Sequence, residues 1–209
     1  MTDTVSAREA LDRLRAGNRR FAERVASRTP SPPAPPADLS LPQRPCAIVL
    51  GCSDARVPVE IVFDQGLGDL FVIRVAGNVV APSLIGSVEF AADRFGTRLV
   101  VVLGHTGCGA VAATIEALRK PGAESSPNLM SIVTRVRPSV EPLLHTELAG
   151  DLDALAHRAM RANVRMSAAH LRSGSELLEH LLMSDGLMVV GAEYSTGTGV
   201  VTFFDGVDG

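Results

Sequence analysis

The sequence predicts an α/β fold: a mostly parallel central sheet flanked by helices, with an N-terminal helical arm. Three observations carry this. Apolar runs rich in Val, Leu and Ile recur along the chain, and they are continuous rather than alternating, as strands covered on both faces are. Stretches with helical spacing lie between them, and strand–helix alternation marks a parallel sheet. The chain has 209 residues, enough to bury one real core, so 1–209 reads as a single domain.

The elements follow in order. From Ser6 to Val25, Leu11, Leu14 and Phe21 recur at helical spacing on an otherwise charged stretch. Thr29 to Pro36 is almost all Pro, Ser and Ala. Such a segment is an extended linker and not a helix, because proline lacks the N–H and fixes φ. Residues 1–36 thus form a helix and a Pro-rich arm. A helix carried this way has little core of its own and must pack on the body of the domain or on a partner chain.

Cys46 to Gly51 is the first buried strand and Leu70 to Val75 the second. Ser83 to Phe95 is a helix. Leu99 to Leu103 is the third strand, followed by a helix from Gly109 to Lys120. Leu129 to Leu144 is apolar-periodic but interrupted by Pro138 and Pro142. Asp151 to Met183 holds one or two helices. Asp185-Gly186 is a turn, and Leu187 to Val190 is the fourth strand. A short last strand, Val200 to Phe204, is turned back through Ser195-Thr196-Gly197-Thr198-Gly199. No internal repeat is present.

Composition excludes several classes of function. The net charge is −3, so nothing electrostatic favours nucleic acid or an anionic membrane. No apolar stretch approaches a membrane span. Met1-Thr2-Asp3-Thr4 begins a polar helix and lacks a signal peptide's apolar segment, which makes the cytoplasm the expected compartment. Three cysteines in a chain of this size are no disulfide framework. In a reducing compartment, metal binding is the better use of two of them.

Those two are Cys52 and Cys108. Cys52 heads Cys52-Ser53-Asp54-Ala55-Arg56, and farther along comes Gly104-His105-Thr106-Gly107-Cys108-Gly109. Each half follows an apolar run, which places both at strand ends, where open α/β sheets carry their sites. Two thiolates and one imidazole are a zinc set, and three protein ligands leave a fourth position open. The glycines let strand turn sharply into helix, and Cys108 at a helix N-terminus has its thiolate favoured by the dipole. Taken alone, a histidine after a strand is a hydrogen-bonded structural residue and a lone cysteine is core. The paired halves change that reading. Gly104-x-x-Gly107-x-Gly109 has neither the dinucleotide-binding glycine order nor the phosphate-binding lysine.

Asp54 and Arg56 stand two apart, so in extended backbone they point the same way. The plain reading is a structural ion pair, and the functional one is an orienting carboxylate beside a metal. Cys52 immediately upstream favours the second. Two thiolates offset the charge of Zn²⁺ and leave it a weaker acidifier of water, which gives an orienting carboxylate something to do. Arg56 would also keep Asp54 from closing the open position.

Cys-Ser-Asp-Ala-Arg together with Gly-His-Thr-Gly-Cys-Gly-Ala resembles the β-class carbonic anhydrases of bacterial type. The likeness runs from about Ala16 to Phe204 and includes Phe63-Asp64-Gln65-Gly66-Leu67-Gly68-Asp69-Leu70-Phe71-Val72-Ile73-Arg74 and Gly191-Ala192-Glu193-Tyr194. It implies a zinc-dependent lyase for the reversible hydration of carbon dioxide to bicarbonate and a proton. By the resemblance, Cys52, His105 and Cys108 are the zinc ligands, and Asp54 and Arg56 the dyad that orients the nucleophile. Gln43 falls on the substrate-pocket glutamine. Phe71 and Phe90 fall on the pocket's aromatic wall, and the Gly109 N–H lies next to the second cysteine. The family's glutamine and aromatics reach the zinc from the neighbouring subunit, which implies a homodimer as the catalytic unit and dimers that pair into a homotetramer.

Two departures stand out. Val75 occupies a position where members often have Asn, in Arg74-Val75-Ala76-Gly77-Asn78. Bicarbonate-regulated members carry an effector site of Trp, Arg and Tyr. Here Arg74 and Tyr194 are present but the Trp position is Val49, which favours the unregulated open-site kind. Two rivals remain: a relative acting on COS or CS₂, and a non-catalytic zinc-binding protein. Cys46 reads as a buried hydrophobe. His145, His157, His170 and His180 read as surface residues without partners at ligand spacing.

Overall fold

The computed structural model describes residues 5–30, 40, 42–120 and 126–207. Met1 to Thr4 and most of the Pro-rich arm, residues 31–39, lie outside the described residues. The sheet has five strands: β1 (Ala47–Gly51), β2 (Leu70–Arg74), β3 (Leu99–His105), β4 (Met188–Tyr194) and β5 (Val201–Asp205). Their spatial order is β2-β1-β3-β4-β5. The first four are parallel, and β5 returns antiparallel to β4. The helices are α1 (Ala7–Ser27), α2 (Val59–Val62), α3 (Pro82–Arg94), α4 (Gly109–Arg119), α5 (Pro127–Val140), α6 (Leu152–Ser173) and α7 (Glu176–Ser184).

The continuous apolar runs have a direct cause. Ile48, Leu50, Val100 and Val102 face one layer, built from α3 to α7. Ala47, Val49, Leu99, Val101 and Leu103 face the other, built from α1 and α2. With both faces covered, neither face of β1 or β3 can be polar. The helix that follows β1 lies on one side of the sheet and the helix that follows β3 on the other. A crevice therefore opens between the carboxyl ends of these two neighbouring strands.

The N-terminal helix packs on its own body. Ser6 caps it by accepting from the Glu9 N–H. Ala10, Leu11 and Leu14 are buried against the second layer. Asn18, 4% exposed, donates to the carbonyls of Val62 and Gly199 and accepts from the Val201 N–H. Arg20 and Arg24 both pair with Asp64. One helix face thus ties the loop before β2 to the β4–β5 turn.

Three segments differ from the sequence reading. The fourth strand runs on to Tyr194, because Gly191 and Ala192 continue the ladder against Val102 and Leu103 even though they look like loop residues. The segment with Pro138 and Pro142 is helical to Val140 and then one 3₁₀ stretch, Glu141–His145. Pro138 falls in the last turn, so only one intrahelical bond is lost before the helix ends. The short helix Val59–Val62 is too brief to show periodicity.

Gly104 sets how closely α6 approaches the sheet. A Cβ there would stand 2.5 Å from Val164 Cγ2 and 2.7 Å from Met160 Sδ. Gly104→Ala is expected to cost about 1–3 kcal/mol as an overpacked core site, read by thermal unfolding. An unchanged unfolding midpoint would show that α6 can retreat freely.

Candidate metal centre

β1 delivers Cys52 to the crevice and β3 delivers His105. A turn through Gly107, whose φ is +66°, brings the chain round to Cys108 at the N-cap of α4. The ligand atoms of Cys52, His105 and Cys108 lie within 4.8 Å of one another, and all three residues are buried. Among the described residues this is the one His/Cys/Asp/Glu group close enough to hold a metal ion.

The donor chemistry fits a soft or borderline cation. His105 Nδ1 lies 3.0 Å from the Thr106 carbonyl. That contact requires the proton on Nδ1 and leaves the Nε2 lone pair free. Nε2 is buried and has no hydrogen-bond partner, an orphan that a metal ion would satisfy. A hydrogen bond from Cys108 pulls the Cys52 thiol down to about 4. The same bond, with burial, pushes the Cys108 thiol up, although the Val111 and Ala110 N–H groups favour its thiolate. A divalent cation removes the conflict, since both sulfurs can then be thiolates.

Asp54 lies at the edge of this group. Its Oδ2 is 3.9 Å from His105 Nε2. Arg56 Nε donates to Oδ1 at 2.9 Å and Nη2 to Oδ2 at 2.8 Å, a two-pronged pair. The Arg56 guanidinium holds the Asp54 carboxyl well below the usual carboxylate range. The alignment does not come from extended backbone, as the two-residue spacing suggested. The chain turns here: the Arg56 N–H donates to Asp54 Oδ1 and the Val57 N–H to the Asp54 carbonyl. An Asx turn wraps Arg56 back onto its own partner. Arg56 Nη2 also donates to the Gly107 carbonyl at 3.2 Å, joining the two halves of the centre.

The residues matched to a substrate pocket are elsewhere. Gln43 is exposed and lies before β1, in a groove with Pro42, Asp93 and Phe95. The whole of β1, five residues and about 17 Å at 3.3 Å per residue, separates it from Cys52. Phe71 and Phe90 form one aromatic cluster with Phe95, with ring centroids 5.5–6.2 Å apart. Phe90 is 53% exposed. Phe71 pairs in register with Ile48, near the amino end of the sheet. Gln43 and the aromatics therefore share one end of the sheet, and the sulfur–imidazole group occupies the other. Gly109 is at the metal end, the first residue of α4, and a Cβ there would meet nothing within 4 Å.

A family model described as carbonic anhydrase matches residues 47–201. The chain belongs to the β-carbonic anhydrase family. "Carbonic anhydrase 2" of Mycobacterium tuberculosis is 37% identical over 204 residues, 95% of this chain and 91% of the relative. The carbonic anhydrase of Mycolicibacterium smegmatis is 51% identical over 104 residues, half of each chain. The crystal structure of the β-carbonic anhydrase CafA of Aspergillus fumigatus superposes with a TM-score of 0.73 at 28% identity, covering 93% of this chain and 90% of that one.

The sequence reading missed the residues that brace this β-carbonic anhydrase's centre. Arg74, noted only as part of an effector pattern, donates to the Cys52 carbonyl at 3.0 Å and to the Asp54 carbonyl at 2.6 Å. It fixes the loop that carries both residues. Val49, at the position of the effector tryptophan, is fully buried in the sheet. The Gly77 N–H donates to Cys52 Sγ at 3.4 Å. Thr106 Oγ1 meets Thr196 Oγ1 and accepts from the Thr196 N–H, tying the β4–β5 turn to the His105 loop. His157 is a surface residue outside the ligand group, as its spacing suggests, and its Nε2 lies 2.8 Å from Glu193. These contacts cross between distant parts of the chain and leave no local spacing to read.

Proposed function

We propose that this chain interconverts carbon dioxide and bicarbonate with a zinc ion held by Cys52, His105 and Cys108. The observation that carries the reading is the trio of buried ligand atoms within 4.8 Å, with an arginine-clamped carboxylate at its edge. Zinc bound there would polarise a water and supply a nucleophile near neutral pH. Asp54 accepts the nucleophile's O–H and so aims its lone pair, while Arg56 holds the carboxylate in that pose and off the metal. The Gly109 N–H, unpaired within its helix, orients a substrate oxygen. The intact Asp54–Arg56 pair argues against a non-catalytic zinc protein.

Gln43, Phe71 and Phe90 complete this site from a second copy of the chain. Their position across the sheet from Cys52 is what supports that reading. β2 is also an edge strand whose apolar residues Phe71, Val72 and Ile73 are only partly covered, an edge that a second copy would protect. The dimer is then the working unit, and dimers can pair further into a tetramer. The three cysteines are free, which suits the cytoplasm. Among the described residues no helix is long and apolar enough to cross a membrane.

A mixing experiment tests the shared site. Cys108→Ser should lose the metal and Gln43→Ala should lose the substrate contact, so each homodimer is impaired. Hybrid dimers would pair the metal of one chain with the glutamine of the other. Co-refolding equal amounts should restore about one quarter of the wild-type sites, because a two-fold dimer exchanges equivalent surfaces. Activity that stays at the mean of the two variants would place all site residues within one chain. Assaying carbonyl sulfide beside carbon dioxide separates this reading from its COS/CS₂ rival.

A further inference from the structure

One face of α6 supports both halves of the centre. Met160, Asn163, Val164 and Ser167 are all buried and recur at helical spacing. Met160 and Val164 press on Gly104, next to His105. Asn163 and Ser167 reach the turn Ala76–Asn78, which touches Cys52. Asn163 Nδ2 donates to the Gly77 carbonyl at 2.7 Å, and Ser167 Oγ donates to the Asn78 carbonyl at 3.0 Å. Asn163 is 2% exposed. A buried amide on an apolar helix face costs stability unless it is hydrogen-bonded.

What it holds is an unusual piece of backbone. Gly77 has φ +71°, and a Cβ there would sit 3.0 Å from the Ala110 Cβ. Asn78 also has a positive φ, +43°. Glycine takes the left-handed region freely, whereas Asn78 does so at some cost, which the surrounding contacts offset. The enforced conformation aims the Gly77 N–H at Cys52 Sγ, 3.4 Å away. An N–H bond to a metal thiolate draws charge from the sulfur, fixes its lone-pair direction and tunes the metal.

The geometry points to Asn163 as a positioning residue for the metal centre, acting through the Gly77 backbone torsions on the Cys52 sulfur. It never touches metal or substrate. By gripping the Gly77 carbonyl it fixes the Gly77–Asn78 peptide and with it the Gly77 backbone torsions, which set the direction of the N–H on the preceding Ala76–Gly77 peptide toward the thiolate. Ser167 grips the next carbonyl and holds the turn's position without setting the donor's direction. This inference rests on the zinc reading above.

The test compares Asn163→Leu, Asn163→Ala and Ser167→Ala with the wild type. Metal affinity is measured by chelator competition with zinc. The sulfur-to-metal charge-transfer band is recorded on the cobalt(II)-substituted proteins. The Asn163 variants should bind zinc about 10-fold more weakly, the lower end of what losing an outer-shell partner costs, and their cobalt band should shift. Ser167→Ala should lower the unfolding temperature but leave affinity and band close to wild type. Asn163→Ala keeps the test open if the leucine variant does not fold. Both Asn163 variants folding with wild-type affinity and an unmoved band would overturn the inference. A wild-type protein that binds no zinc would instead overturn the metal reading itself.

Discussion

Replacing Asp54 with Asn should leave zinc in place and remove most of the carbon dioxide hydration. The carboxylate is outside the three-ligand set, so its loss takes no donor from the metal. What it loses is direction. Both carboxylate oxygens accept hydrogen bonds, whereas an amide can present N–H₂ toward the nucleophile and turn it the wrong way. It also weakens the pair with Arg56, which now spans both oxygens at 2.8 and 2.9 Å. The pH dependence follows from the sign of the shift. Arg56 holds the Asp54 carboxyl well below the usual range, so this group stays charged at any pH near neutrality. Any fall in activity as pH drops toward neutral therefore belongs to another group. Asp54→Asn should lower the rate at every pH without moving that limb. Arg56→Ala should fail differently. It frees a carboxylate whose Oδ2 is already 3.9 Å from His105 Nε2, close enough to become a fourth ligand and close the site. Zinc should then be retained while activity is lost. Stopped-flow rates and zinc content on the same samples check both. Wild-type turnover in Asp54→Asn would remove the dyad from the mechanism.

Cys108→Ser should remove most of the zinc. A serine hydroxyl is neutral near pH 7 and a poor donor to a borderline-soft cation, whereas thiolate is a preferred one. The change also leaves His105 Nε2, already without a hydrogen-bond partner, and Cys52 to bind as a two-ligand remnant. Metal analysis after dialysis should find the wild type near one zinc per chain and the variant nearly empty. Full occupancy with unchanged activity would refute the ligand assignment.

The parts of this molecule legible in the sequence were those written in local spacing. Continuous runs such as Leu99-Val-Val-Val-Leu103 announced strands covered on both faces, because no neighbouring helix contact was needed to explain them. The two Gly-flanked halves around Cys52 and His105-Cys108 announced a ligand group able to hold a metal ion, because few other uses place those donors at strand ends. The Asp54–Arg56 pair was legible, but its geometry was not, since an Asx turn and not an extended strand aligns the two. The end of β4 was hidden because Gly191 and Ala192 earn their place only through the neighbouring strand. Arg74 and Asn163 were hidden for a related reason. Their partners, the Cys52 and Gly77 carbonyls, are backbone atoms far away in sequence and carry no residue signature. Whether α1 covers its own chain or another could not be read from its amphipathic pattern; its Asn18 bonds to Val62, Gly199 and Val201 of its own chain are long-range in sequence and carry no spacing to read.

If this chain is a zinc enzyme acting on carbon dioxide, its hydration activity must follow its metal content. The most direct measurement is stopped-flow hydration of carbon dioxide by the purified protein before chelation, after chelation, and after zinc is returned, with metal content determined at each stage. The purified protein should carry about one zinc per chain, with hydration lost as zinc is removed and regained as it is restored. A protein fully loaded with zinc that hydrates carbon dioxide no faster than buffer would contradict that reading.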